Sequence, residues 1–250
     1  MKAVILAAGL GKRLEPVTGG LPKCLVPVAG RTILDRMIER LVQAGLDQIV
    51  VVTGHRSDDV ERHLDAAAEP AARRAVRVFN PRYADWGNFN SLLVAQDAVG
   101  SDGFVKLDAD VVMDDTLLPA LLAAPGPAAL AIDRSGTLGA EEMKARLDDR
   151  DRIVELNKRI DPAAALGESV GIDRIDPELA PQLWRALRHL ITLGETDEYY
   201  ERAYELLMLQ GLPFSYADVS TCQWCEIDDA ADLATAESLL ATPGPGGPAR

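Results

Sequence analysis

Lys2-Ala3-Val4-Ile5-Leu6-Ala7-Ala8-Gly9-Leu10-Gly11-Lys12-Arg13-Leu14, followed by Pro22-Lys23, decides how the rest of the chain is read. A β-forming apolar run stops at two alanines and opens into a loop with Gly9 and Gly11, the Lys12-Arg13 pair and, farther on, a lone Lys23. Glycine tolerates the dihedrals and the close backbone approach that a phosphate chain requires, so a buried strand ending in such a turn presents N–H groups to phosphates. The opening therefore reads as a triphosphate site.

Working outward, apolar runs at 47–53, 75–80 and 103–107 have strand length, and helical spacing recurs over 31–43, 57–67 and 88–98. Alternating strand and helix predict a doubly wound α/β fold with a mixed, mainly parallel sheet. In such sheets ligands lie at the carboxyl ends of strands, which puts the Gly9–Arg13 loop and Asp108-Ala109-Asp110 on one rim. From about residue 127 the pattern changes to short strands at 128–132, 144–147 and 152–156, with a hairpin turn at Asp148-Asp149-Arg150-Asp151. Helices over 177–191 and 197–210, strands at 214–219 and 224–227 and a last helix over 229–240 complete the reading. The expected organisation is one domain over 1–240, a nucleotide-binding half (1–126) and an acceptor-binding, sheet-completing half (127–240), with a disordered Pro/Gly tail at 241–250.

Composition narrows the partners. At 250 residues with 48% hydrophobic residues the chain has material for a full core, and its net charge of −13 disfavours nucleic acid and acidic membrane surfaces. A small ligand held by individually placed cations is expected instead. Three cysteines, Cys24, Cys222 and Cys225, are too few and odd in number for a disulfide framework, and no stretch reaches the ~20 apolar residues of a membrane span. With no signal-peptide pattern at the start, a cytoplasmic location is the default, and a homodimer is compatible with the sequence.

Leu6-Ala7-Ala8-Gly9-Leu10-Gly11-Lys12-Arg13-Leu14 with Pro22-Lys23 resembles the LAAGxGxRL…PK signature of the sugar-phosphate nucleotidylyltransferases. It lacks the third glycine of a dinucleotide fingerprint and the GK[ST] ending of a P-loop. Asn80-Pro81-Arg82-Tyr83 and Asn88-Phe89-Asn90-Ser91 are similar to the branch that contains the phosphocholine and aminoalkylphosphonate cytidylyltransferases. The resemblance implies transfer of CMP from CTP to a small phosphorylated or phosphonate amino alcohol, with release of pyrophosphate. Positioning and charge neutralisation govern such a step, with no obligatory protein nucleophile.

On that resemblance Arg13 and Lys23 are the catalytic cations. Leu6, Ala7, Ala8, Gly9, Gly11, Lys12, Asn88, Ser91 and Asp108 serve the nucleotide, Asp110 and Asp228 hold Mg2+, and Lys144, Lys158, Tyr199 and Trp224 meet the acceptor. Bland readings stand beside several of these: Lys12 as a surface charge, Ser91 as plain helix surface, and Asp228 as the N-cap of the last helix. The aromatic-rich stretch of the choline enzymes is replaced by Ser135-Gly136-Thr137-Leu138-Gly139-Ala140-Glu141-Glu142, which puts a full choline cage in doubt. Alternatives are a guanylyl- or uridylyltransferase acting on a sugar or cyclitol phosphate, and a non-catalytic nucleotide-binding regulatory subunit.

Overall fold

The computed structural model describes residues 1–241. Its strands, in chain order, are β1 (Lys2–Ala7), β2 (Pro27–Val28), β3 (Arg31–Thr32), β4 (Ile49–Thr53), β5 (Val76–Phe79), β6 (Phe104–Asp108), β7 (Val111–Met113), β8 (Ala128–Asp133), β9 (Lys144–Leu147), β10 (Ile153–Asn157), β11 (Gly167–Ile175), β12 (Ser215–Asp218) and β13 (Trp224–Glu226). The helices are α1 (Glu15–Thr18), α2 (Ile33–Gln43), α3 (Ser57–Ala66), α4 (Pro70–Arg74), α5 (Phe89–Val94), α6 (Gln96–Val99), α7 (Leu117–Ala123), α8 (Ala180–Leu193), α9 (Glu201–Leu209) and α10 (Ala230–Ala241).

Strand β1 lies inside the sheet, parallel to β4 on one side and β6 on the other, and β5 extends the parallel set beyond β4. Alternation along β1 sends Ala3, Ile5 and Ala7 into one apolar layer and Val4 and Leu6 into the other, so both faces are covered, as a parallel strand requires. Leu34, Met37, Ile38 and Leu41 of α2 fill the first layer. Phe89 and Leu92 of α5 fill the second together with Leu183, Leu187 and Leu190 of α8 and Tyr204 and Leu207 of α9. Helix α2 starts where Thr32 Oγ1 accepts the Asp35 N–H at 3.1 Å, an N-cap that ends the short β3 segment.

The long strand β11 joins the two halves. It runs antiparallel to β6 on one side and to β8 on the other, while its first residues pair with β9 of the β9–β10 hairpin. Strand β12 adds parallel to β8. Among the described residues, one mixed sheet of nine strands therefore runs through both halves. The hairpin turn expected at 148–151 is present, with Asp148 accepting N–H groups from Arg150 and Arg152.

Three local expectations change. The helix expected over 88–98 is two short helices, because the turn at Ala95 separates α5 from α6. The last helix continues through Ala241, and the tail expectation otherwise concerns 242–250, outside the described residues. Strand β11 has no counterpart in the sequence reading, because Glu168, Asp173 and Arg174 interrupt the apolar pattern that marks a strand.

Candidate active site

The carboxyl ends of β1 and β6 open into a cleft of about 580 Å³. Leu6, Ala8 and Gly9 line it from β1 and the loop that follows, with Arg13 and Lys23 farther along. Gly11 supplies the turn: its φ is +61°, a left-handed conformation, and an added Cβ would stand 3.2 Å from Lys23 Cγ. The glycine thus lets the loop and the Lys23 side chain pack together.

Lys23 is the centre of the site. Its Nζ lies 3.0 Å from Asp110 Oδ2 and also pairs with Asp228 Oδ1, while Arg13 reaches the other oxygen of Asp228. The approach of Asp228 to Asp110 follows from strand pairing: β13 runs antiparallel to β7, Glu226 faces Val111, and the Ile227 N–H donates to the Asp110 carbonyl at 3.0 Å. Glu226 and Asp228, two residues apart, come to the same side. Ligand oxygens of Asp110, Glu226 and Asp228 all lie within 4.8 Å of one another.

The capping alternative for Asp228 has a different occupant. Asp229 Oδ1 accepts the Ala231 and Asp232 N–H groups at the start of α10, at 2.7 and 3.1 Å, which leaves the Asp228 carboxylate for Lys23 and Arg13. Burial, followed by the charges of Asp110 and Asp228, pushes Glu226 up to about 8. Burial also raises Asp110, against the pull of Lys23. Burial alone would lower Lys23, but Asp110 and Asp228 outweigh it and hold the ammonium charged. Three crowded carboxylates, oxygen donors all, fit a hard divalent cation whose charge would relieve their repulsion.

Tyr83, Trp86, Asn88 and Ser91 also line the cleft. Asn88 Oδ1 accepts the Tyr200 N–H at 2.9 Å, which fixes the carboxamide and leaves its Nδ2 donor for the cleft. Ser91 is almost fully buried and takes a hydrogen bond from Asn80 Nδ2 at 2.9 Å, so it also fixes the 80–91 segment. Asn90 Nδ2 donates to the same Asn80 side chain at 2.6 Å. Asp108 lines the cleft with Oδ2 accepting from the Tyr200 hydroxyl at 2.7 Å, and Lys106 stands behind it at 3.2 Å.

Toward the second half, Lys158 and Tyr199 line the cleft, with the Lys158 ammonium 5.3 Å from the Tyr199 ring centroid and 3.6 Å from Glu141. Lys144 and Trp224 do not reach it. Lys144 is fully buried and donates to the carbonyls of Gly139 and Glu142 at 2.9 and 3.0 Å, fastening the 139–142 loop from beneath. Trp224 packs against the core with Nε1 donating to Asp133 at 2.8 Å. Ala7 is buried in the sheet, and Lys12 is exposed and does not line the cleft.

Sequence reasoning missed Glu226, Glu168 and Glu201. The first had a usable signal, since Glu226-Ile227-Asp228 alternates as a strand end and places two carboxylates side by side. Glu168 and Glu201 had none, because the strand and helix start that present them were respectively unread and placed four residues too early.

Together the sheet, the glycine loop and the rim of cations and carboxylates define an α/β domain of nucleotidyltransferase fold. The chain belongs to the MobA-like NTP transferase domain family, whose profile matches residues 3–195. It is 31% identical to the CMP-5'-(3-aminopropyl)phosphonate synthase of Streptomyces rubellomurinus over 97% of this chain, and spans only 39% of that relative's length. It is 27% identical to the 2-aminoethylphosphonate cytidylyltransferase of Lancefieldella rimae, over 93% of this chain and 90% of the relative. The solved structure of the CTP:phosphocholine cytidylyltransferase of Streptococcus pneumoniae superposes with a TM-score of 0.78 at 23% identity, covering 96% of this chain and 98% of that one.

Proposed function

We propose that this protein is a Mg2+-dependent nucleotidyltransferase that moves CMP from CTP to the phosphate or phosphonate oxygen of a small amino alcohol derivative, releasing pyrophosphate. The observation that carries the reading is the Lys23 ammonium held between Asp110 and Asp228, beside the glycine loop and under Arg13, at the carboxyl ends of β1 and β6.

The acceptor oxygen is already ionised near neutral pH, so the chain needs no general base. Its tasks are alignment and charge compensation at the α-phosphorus. Lys23 donates to the oxygens of the α-phosphate and the incoming acceptor, where negative charge concentrates as the bond forms. Arg13, largely exposed over the mouth of the cleft, donates to the β- and γ-phosphates as pyrophosphate departs. Asp110, Glu226 and Asp228 would hold Mg2+, which supplies further neutralisation of phosphate charge. Ala8 and Gly9 face the base with main-chain groups and Asn88 with its amide donor. The names of the first two relatives, a synthase of a CMP-linked phosphonate and a cytidylyltransferase, support CTP as the donor.

The test is pyrophosphate release from each of the four ribonucleoside triphosphates, with phosphocholine, phosphoethanolamine and 2-aminoethylphosphonate as acceptors. CTP is expected to be turned over fastest. Faster use of UTP or GTP with every acceptor would refute the cytidylyl assignment.

A further inference from the structure

Beyond the nucleotide end the cleft continues into a chamber of about 130 Å³ that shares Asn88, Lys158 and Tyr199 with it and is floored by residues of β11 and the start of α9. The chamber is acidic: Asp108, Glu141, Glu142, Glu168, Glu201 and Glu226 line it, and Lys158 is its only basic lining residue among the described ones. Asp108 accepts from the Tyr200 hydroxyl, Glu226 stands with Asp110 and Asp228, and two more of these carboxylates are already engaged. Glu141 pairs with Lys158 at 3.6 Å, and Glu142 accepts the Gly139 N–H at 2.6 Å. The other two are different. Glu201 is 6% exposed, and its Oε2 is buried without a hydrogen-bond partner. Glu168 is half-buried and lines the same chamber from the first residues of β11.

An unpartnered carboxylate oxygen in a nearly closed polar space is costly unless a ligand supplies the donor. Resting on the nucleotidyltransferase reading, we infer that Glu168 and Glu201 form the acceptor's ammonium subsite and select a primary amine over a trimethylammonium or a hydroxyl group. A primary ammonium carries three N–H donors, enough to serve Glu168, Glu201 and a third acceptor at once. A trimethylammonium carries none and would leave the buried Oε2 of Glu201 unpartnered. It seeks aromatic faces instead, and Tyr199, 47% exposed at the chamber mouth, is the only aromatic residue among the described ones that lines this space. A hydroxyl group brings one donor and no charge against the carboxylates. Glu168, pushed up to about 7 by burial and by Glu142 and Asp133, and Glu201, pushed up to about 8 by burial, have the charge environment that an arriving cation relieves.

The experiment uses the full chain with CTP and Mg2+, and compares phosphoethanolamine with phosphocholine, and 2-aminoethylphosphonate with 2-hydroxyethylphosphonate. Each pair differs only at the amine end. The primary amines are expected to exceed their partners in kcat/KM by roughly 10- to 100-fold, the worth of a hydrogen bond to a charged group. Glu168→Gln should bring both ratios toward one, chiefly through KM. Glu201→Gln should do the same, and circular dichroism identifies a variant of this buried position that has lost its fold. Calorimetric titration of 2-aminoethylphosphonate alone, into wild type and Glu168→Gln, reads the subsite without turnover. Binding that weakens in the variant while no triphosphate is consumed would uphold the ammonium subsite and overturn the transferase reading. Turnover of phosphocholine or 2-hydroxyethylphosphonate at the rate of the amines, ratios unchanged in Glu168→Gln, or no binding and no turnover of any amine would overturn the subsite.

Discussion

Lys106 on β6 and Asp173 on β11 stand opposite each other in the ladder that joins the two halves of the sheet, both buried, with Nζ 3.0 Å from Oδ2. The same ammonium donates to the Gly171 carbonyl at 2.9 Å, pairs with Asp108 at 3.2 Å and bonds the Tyr200 hydroxyl. Burial works against this charge, and Asp108, Asp173 and Glu201 outweigh it. Asp108 lines the cleft, so one cation ties the sheet junction to the site.

Removing Lys106 leaves the buried Asp173 and the partly exposed Asp108 without their cation. Lys106→Met should destabilise the fold by about 3–5 kcal/mol, the cost of breaking a buried pair from one side. Urea unfolding measures it. A loss under about 1 kcal/mol would mean that water or relaxation replaces the ammonium and that the cluster is not what holds β6 to β11.

Glu201 makes stability pH-dependent with a defined sign. Its folded-state pKa, pushed up to about 8 by burial, exceeds its ordinary value of 4.5, so the fold favours the neutral acid. That contribution is complete below about pH 4.5 and is lost as the pH climbs toward 8. Thermal unfolding of Glu201→Gln should therefore depend less on pH than wild type between pH 5 and pH 8. Parallel curves for the two proteins would place the titration elsewhere.

Lys23 and Arg13 sit at the rim, outside the core layers. Lys23→Ala should lower turnover by about 100- to 1,000-fold, the usual cost of one donor aimed at developing charge, while the far-ultraviolet circular dichroism is preserved. Arg13→Ala should act on the departing pyrophosphate and give a smaller loss, consistent with its 70% exposed side chain. Activity retained by Lys23→Ala would remove the lysine from the reaction.

The carboxylates at 110, 226 and 228 give a metal prediction with its own readout. If they hold Mg2+, millimolar Mg2+ should raise the melting temperature of the nucleotide-free protein by mass action on the folded state. Asp228→Asn and Glu226→Gln should each reduce that shift and raise the Mg2+ concentration for half-maximal activity. An unchanged shift in both variants would locate the cation at another site.

Much of the N-terminal half was legible in sequence for a physical reason. Ala3–Leu6, 49–53 and 104–107 are strands buried on both faces, so they are nearly continuous apolar runs, and the glycine loop and Asp110 follow them at strand ends. The C-terminal half hides its logic in polar residues that are buried. Lys144 reads as a surface cation, yet it is fully buried against two carbonyls, and Trp224 reads as a ligand platform, yet its indole N–H is spent on Asp133. Strand β11 escaped notice because Asp173 is satisfied by Lys106, a partner 67 positions away that no local pattern reveals.

Asn88 offers the sharpest test of the base. Because Oδ1 is committed to the Tyr200 N–H, the amide presents a donor to the cleft, and cytosine offers an acceptor at its ring N3 where uracil has an N–H. Asn88→Asp keeps one oxygen on the Tyr200 N–H and turns the free group from donor to acceptor with little change in shape. The preference for CTP over UTP in kcat/KM should then fall by about 10- to 100-fold, within the worth of a base-edge contact. Because the Tyr200 contact survives, the melting temperature should stay near that of wild type. A selectivity ratio within twofold of wild type would show that Asn88 does not read the base, and would leave recognition to the main chain of Ala8 and Gly9.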